Sequence, residues 1–241
     1  MRVLVVSHLY PAPGDERSLF VEDQVKALAA LGVGVRVLSP TGHSPRLLWF
    51  VPRLRRRGQR PARAVRAGIA VEYPRVLVLP RLALASHVGD IYYASLRRGL
   101  AEFRKAGIDL VHAHQALPDG AAARRLAQAL GVPYVVTVHG RDVYHNLRGD
   151  GALARATALV LREASAVVAV SSAVARALEG IVAPARLFVN LNGFAGDPPA
   201  GGDGALKAGP APLPAGIPDG TPVILTVGNL IARKGHEIVL R

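Results

Sequence analysis

Asp109-Leu-Val-His-Ala-His114 and Tyr134-Val-Val-Thr-Val-His-Gly-Arg-Asp142 stand one helix length apart, each an apolar run closing on histidine and small polar residues. Short apolar runs alternating with amphipathic stretches predict strand-helix units and a mainly parallel sheet. A parallel sheet gathers the carboxyl ends of its strands at one edge, where turns and helix N-termini form a crevice for polar or anionic ligands. The two quoted ends therefore face one ligand.

Outward from this pair, strands are expected near 2–6, 33–38, 69–73, 108–113, 133–138, 166–170 and 186–190. Phe20, Val21, Val25, Leu28 and Leu31 recur at helical spacing, and Gly32 ends that helix. A second helix, around 121–130, stops at Gly131-Val-Pro133, and Ser171 and Ser172 suit the N-cap of a helix reaching Glu179. From Ala195 to Gly220 six prolines and seven glycines with few large apolar residues mark a linker. Beyond it Pro222-Val-Ile-Leu-Thr-Val227 reads as the opening strand of another domain. The expected organisation is a domain over 1–193, a Gly/Pro-rich linker over 194–220 and the start of an incomplete second domain over 221–241.

The 241 residues, 50% hydrophobic, suffice for a sizeable core, which excludes a disordered tail. The absence of cysteine removes disulfides and thiolate metal sites and suits a reducing, cytoplasmic setting. No run reaches the roughly 18 to 20 apolar residues of a membrane span. The net charge is +13, and arginine outnumbers lysine 26 to 4, in part as a GC-rich genome would favour. Eight arginines fall between Arg46 and Arg66 with no acidic residue, around Leu47-Leu-Trp-Phe-Val51. Three readings stay open for that run: an anionic membrane surface met by Trp49, Phe50, Arg53, Arg55, Arg56 and Arg57, a nucleic acid, or a solvated excursion. No nucleic-acid module accompanies it, so no nucleic-acid partner is expected.

From the residues alone, His139 either hydrogen-bonds a sugar hydroxyl or caps a strand end, and Asp142 either orients a partner or makes an Asx turn. Gly140 allows close approach of the backbone to a ligand. His112 and His114 share one strand face. An i, i+2 histidine pair suggests a metal, but no cysteine or carboxylate stands at ligand spacing, and no zinc site is expected. His112 reads as a packing histidine and His114 as the ligand-facing one. Pro118 and Asp119 suit a helix's first turn, Gly14 a turn, and Lys234 a solvated helix start.

Taken in order, Val5-Val-Ser-His-Leu-Tyr-Pro11, Phe20-Val-Glu-Asp-Gln24, the two opening segments with Pro118-Asp-Gly120, Val168-Ala-Val-Ser171, Asn192-Gly193, Thr226-Val-Gly-Asn-Leu230 and Arg233-Lys-Gly235 resemble the family 4 retaining glycosyltransferases. Val71-Glu-Tyr-Pro-Arg75 with Leu79-Pro80 is similar to the branch that builds bacterial surface polysaccharides such as teichuronic acid. The resemblance implies the GT-B fold, here its α/β Rossmann-like amino-terminal half with a mainly parallel sheet, plus the first strand and turn of a second such domain. It implies transfer of a hexose from a nucleotide-sugar donor to a glycan or lipid-linked acceptor; on the membrane reading of the arginine run, the cytoplasmic chain lies peripherally on the inner face of the cell membrane. His139 and Asp142 take the catalytic positions, Gly14, Ser18, Gly140, Asn229 and Lys234 the donor side, and His114 and Asp119 the acceptor side. Asn229 stands where the family often has arginine and Ser18 where it often has glycine. No Asp-x-Asp occurs in the chain, in keeping with a metal-independent class without cofactor. The family's paired-glutamate donor motif would fall beyond Arg241, which implies weak donor binding and little turnover by this chain alone.

Overall fold

The computed structural model describes residues 1–14, 19–43, 61–77 and 88–193, and a scatter of positions near the carboxyl end: 216–218, 221–224, 226, 228 and 235–240. The chain divides into two compact units, Met1–Ala195 and Gly196–Arg241.

The first unit is a mixed α/β layer structure. Its strands are β1 (Arg2–Val6), β2 (Gly34–Leu38), β3 (Thr41–His43), β4 (Arg63–Arg66), β5 (Ile69–Glu72), β6 (Arg75–Leu77), β7 (Leu110–His114), β8 (Tyr134–Val138), β9 (Ala166–Ala169) and β10 (Leu187–Val189). Eight of them form one sheet in the order β10-β9-β8-β7-β1-β2-β5-β4, parallel throughout except for β4 against β5. All seven strands expected in this unit are present. The central strand β1 is buried from Val3 to Val6, because helices cover both faces and an unbroken apolar run is what such a strand requires.

Side-chain alternation divides the core in two. Val3 and Val5 pack with Val21 and Val25 of α1 (Leu19–Ala30), while Leu4 and Val6 join the larger cluster on the opposite face. That cluster takes Tyr92 and Leu96 from α2 (Val88–Leu96), Phe103 from α3 (Leu100–Ala106), Leu126 from α4 (Ala121–Leu130) and Leu161 from α5 (Ala152–Glu163). Gly131 ends α4 in a left-handed conformation, its N–H bonded to the carbonyls of Ala127 and Gln128, as the sequence anticipates. Ser171 caps α6 (Ser172–Arg176) by accepting the Val174 N–H. The helix is shorter than the reach to Glu179 expected of it, since Glu179 instead bridges to Val182.

Three strands were not anticipated. β3 and β6 make a separate parallel pair, and β4 is an antiparallel edge inside the arginine run. Two arginines of that run are consumed by the fold. Arg63 reaches Glu72 and Glu102, and Arg66 lies 2.9 Å from the buried Glu22 and donates to the Ala12 carbonyl. The residues expected to meet a membrane, Trp49, Phe50, Arg53, Arg55, Arg56 and Arg57, lie outside the described residues. Among the described residues no helix is long and apolar enough to cross a membrane.

In the second unit, the expected strand at 222–227 is described only at 222–224 and 226. Its described residues, Thr221 to Ile224 and Thr226, form no strand, and Val223 and Ile224 are exposed. A strand needs a neighbour to satisfy its N–H and C=O groups, and none stands among the described residues of this unit. What is formed there is a short helix, α7 (His236–Val239), with Thr226 Oγ1 3.0 Å from the His236 ring.

Candidate functional site

The sheet reverses its winding at β1. From β1 the chain proceeds to β2 on one side, and it returns as β7 on the other before continuing to β8, β9 and β10. Such a switch point opens a crevice beyond the carboxyl ends of the two flanking strands. The residues at that edge are His8 after β1, His114 and Gln115 closing β7, and His139 and Gly140 after β8.

The register of β7 on β8 pairs His114 with Thr137, which places His114 beside the start of the β8 loop. Its Nδ1 lies 3.1 Å from Nε2 of His139, and the two rings stack with centroids 5.3 Å apart. His114 is fully enclosed and its Nε2 has no hydrogen-bond partner. His139 is partly exposed, with the Phe20 ring of α1 against it at 4.8 Å. His112, one step back on the same face, is 4.6 Å from the His114 ring and bonds Thr137 Oγ1 at 2.8 Å. The sharing of one strand face by His112 and His114 is as the alternation predicts. Because His114 is enclosed, it reaches a ligand only through His139.

These three imidazoles are neutral at physiological pH. Burial pushes His112 down to about 4, burial and the neighbouring His112 push His139 to about 4, and burial with both neighbours holds His114 well below the ordinary range. A neutral ring carries one N–H, so if His114 donates to Nε2 of His139, the remaining Nδ1–H of His139 is free to donate to a ligand. Ring-nitrogen NMR over pH 3.5–8 is expected to show His112 and His139 uncharged until pH falls to about 4. Since the unfolded chain protonates them near 6.5, they also remove stability as pH falls from that value toward 4. Ordinary titration near 6.5 for either ring would contradict this arrangement.

Asp142 is completely buried. Its Oδ1 accepts the Ala116 N–H at 2.8 Å, tying the β8 loop to the β7 loop, and its Oδ2 has no partner. Burial pushes its carboxyl up to about 6 despite N–H groups from Ala116, Asp142 itself and Leu117 that favour the anion. The structure gives it no contact with His139. Gly140, between them, has φ +92°, and a Cβ there would meet the Tyr144 ring at 3.5 Å and Val174 at 4.0 Å, both ordinary contacts, so backbone conformation rather than crowding demands glycine.

Asp119 is also fully buried, and its partner is His8. The carboxylate accepts the His8 backbone N–H at 3.2 Å and stands 2.8 Å from the ring Nδ1. Both members hold their proton above the ordinary range: burial raises Asp119, and at His8 the opposing effect of burial is outweighed by the charge and hydrogen bond of Asp119. Sequence reasoning quoted His8 within Val5–Pro11 but did not single it out. The signal was there, a histidine just past the carboxyl end of an apolar strand, the same criterion that selected His114 and His139.

The first loop is fixed by its surroundings. Tyr73 donates to the Pro11 carbonyl at 3.0 Å, Ser39 to that of Tyr10 at 3.0 Å, and Arg66 to that of Ala12 at 3.0 Å. Gly14 follows as an exposed turn with φ +74°. Gln24 of α1 donates to Asn192 at 2.9 Å, joining two of the segments on which the resemblance rests. Ser18, Asn229 and Lys234 lie outside the described residues. A separate groove of about 600 Å³ along α5, lined by Leu147, Arg155, Leu159, Arg162 and Ile181, contains none of the candidate residues.

Residues 18–193 match the model of the glycosyl transferase 4-like domain. Over 154 residues the chain is 32% identical to a Bacillus subtilis (strain 168) protein named as the teichuronic acid biosynthesis glycosyltransferase TuaC, covering 59% of this chain and 37% of that protein. Among solved structures it is similar to sucrose-phosphate synthase from Thermosynechococcus elongatus, with a TM-score of 0.56 and 15% identity over 79% of this chain and 47% of that one. At that identity the likeness speaks for the fold. The chain spans about two fifths of its curated relative and about half of the synthase.

Proposed function

The chain belongs to the glycosyl transferase 4-like family, and on that premise we propose that it forms the acceptor-side lobe of a retaining glycosyltransferase acting in cell-surface polysaccharide synthesis. In this reading a hexose passes from a nucleotide-sugar to a glycan or lipid-linked acceptor without a metal, at the cytoplasmic face of the membrane. The name of the Bacillus relative supports the polysaccharide role. In this reading Lys234 and Asn229 of the second unit serve the donor's diphosphate, and Gly14, Ser18 and Gly140 are the donor-side residues of the first unit.

The observation that carries the proposal is the neutral, half-open imidazole of His139, held by His114 and Phe20 at the switch point. Glycosyl transfer develops positive charge on the sugar ring. A cationic side chain beside the ring would oppose that charge, whereas a neutral imidazole still hydrogen-bonds a hydroxyl and orients the sugar. Asp142, ionised above a pH of about 6, adds a fixed negative charge behind it. His114 and Asp119 are positioning residues, acting through His139 and His8.

Calorimetry with UDP-, GDP- and dTDP-hexoses tests this in two forms, the 241-residue chain and a chain continued to the length of its relatives. The longer form is expected to bind at least one donor and release its nucleoside diphosphate when acceptor is present, with the shorter form at least tenfold weaker. A longer form that binds none of them would end the transferase reading.

A further inference from the structure

The mechanism leaves the accessible charge at the crevice unused. We propose that His8 and Arg141 form an oxyanion subsite there, taking a carboxylate or phosphate carried by the acceptor. The inference rests on the acceptor-side reading above and names the chemistry of the acceptor.

His8 is held at two points by one buried carboxylate, through its backbone N–H and through Nδ1 at 2.8 Å. That clamp leaves Nε2 as the free edge of a ring whose side chain is 29% exposed. Nε2 makes no hydrogen bond with any described residue. Arg141 follows Gly140 at the end of β8, is exposed, and its guanidinium has no ion pair among the described residues. The two come from the same strand edge, His8 after β1 and Arg141 after β8 with β7 between them, and the Arg141 charge bears on the His8 ring.

The charged groups bearing on the His8 ring are Asp119, Arg141 and Asp142; the first and last favour its cation and Arg141 opposes it. Asp119 and Asp142 are wholly buried and cannot meet a ligand. An incoming molecule therefore finds the Arg141 guanidinium and the outward Nε2 edge of His8, whose protonated form Asp119 favours, at the same edge as the neutral imidazoles of His114 and His139. Arg141 has no carboxylate partner among the described residues, and the His8–Asp119 dyad fixes the direction of a second N–H donor in advance, so an anion at this edge takes a charge-assisted hydrogen bond from each. A neutral sugar would gain nothing from this pair.

The test is an NMR titration of the 241-residue chain, following the histidine ring nitrogens, with D-glucuronate, glucose 6-phosphate, UDP and, as the neutral control, D-glucose. Glucuronate or glucose 6-phosphate is expected to shift the His8 ring and raise its pKa, at least tenfold more tightly than glucose. His8→Gln and Arg141→Gln are each expected to weaken that binding at least tenfold. Arg141 is exposed, so its variant leaves the fold intact whatever becomes of the His8 variant. Binding should weaken with rising pH, as the dyad loses its proton, and with salt.

Equal binding of glucose and glucuronate, no shift of the His8 ring with either anionic sugar, or undiminished affinity in both variants would overturn the proposal. UDP alone binding in a His8- and Arg141-dependent way would assign the oxyanion to the donor and overturn the acceptor assignment. None of these results depends on the longer chain binding nucleotide-sugars, so failure here and failure of the transferase reading are separately visible.

Discussion

Asp142→Asn is expected to make the chain more stable at pH 7.5, by about 1–2 kcal/mol, the reverse of what removing an aspartate hydrogen bond normally does. The folded protein holds this carboxyl near 6, against an ordinary value of 3.8. Each pKa unit corresponds to about 1.4 kcal/mol, so a shift of about two units costs the ionised folded state about 3 kcal/mol. Between the two pKa values the folded chain binds more protons than the unfolded one, and stability attributable to this group is therefore lost as pH rises from about 4 to about 6. Asparagine keeps the acceptor for the Ala116 N–H and carries no charge, but its NH2 replaces an Oδ2 that has no partner, which returns about 1–2 kcal/mol of the gain. Urea unfolding at steps from pH 4 to 7.5 should show the variant, less stable than the parent near pH 4, overtaking it as pH rises. A variant less stable at every pH, or a difference that does not grow with pH, would mean that the carboxylate is accommodated without strain. In the proposed reaction the same substitution lowers turnover, because stability is being traded for negative charge behind the sugar.

The sequence made some of this arrangement legible and hid the rest for identifiable reasons. β1, β7 and β8 lie in the middle of the sheet and are largely buried, so they read as short, mainly apolar runs, and α1 and α4 as apolar stripes ended by Gly32 and Gly131. β3 and β6 have three residues each, too few for any period to show. β4 is an edge with Arg63 and Val65 exposed and Ala64 and Arg66 half-buried, an apolar pattern too weak to show a strand, so its arginines suggested only a surface charge run. Within the site, the common face of His112 and His114 follows from alternation alone. Their meeting with His139 requires the register that sets His114 beside Thr137, and the His8–Asp119 pair joins residues 111 positions apart. Asp142 followed the same logic of distance: nearness in sequence suggested His139, whereas the fold gave it Ala116.

His139→Ala should have the largest effect on function. If the imidazole orients the transferred sugar, alanine removes the hydrogen bond that holds the sugar in its reacting position, and also the partner of the His114 Nδ1. A loss of about 100-fold in kcat/KM, equivalent to about 2.7 kcal/mol of transition-state stabilisation, is expected, most of it in kcat. The fold should survive, because the ring is partly exposed and stands at the end of β8, outside the two apolar clusters. The decisive measurement is the kcat/KM of nucleoside diphosphate release by a form continued to the length of the relatives, parent against His139→Ala, with thermal unfolding followed alongside. A fall of two orders of magnitude at unchanged unfolding temperature is the predicted result; a variant that turns over donor as fast as the parent would contradict the placement of the transferred sugar at this crevice.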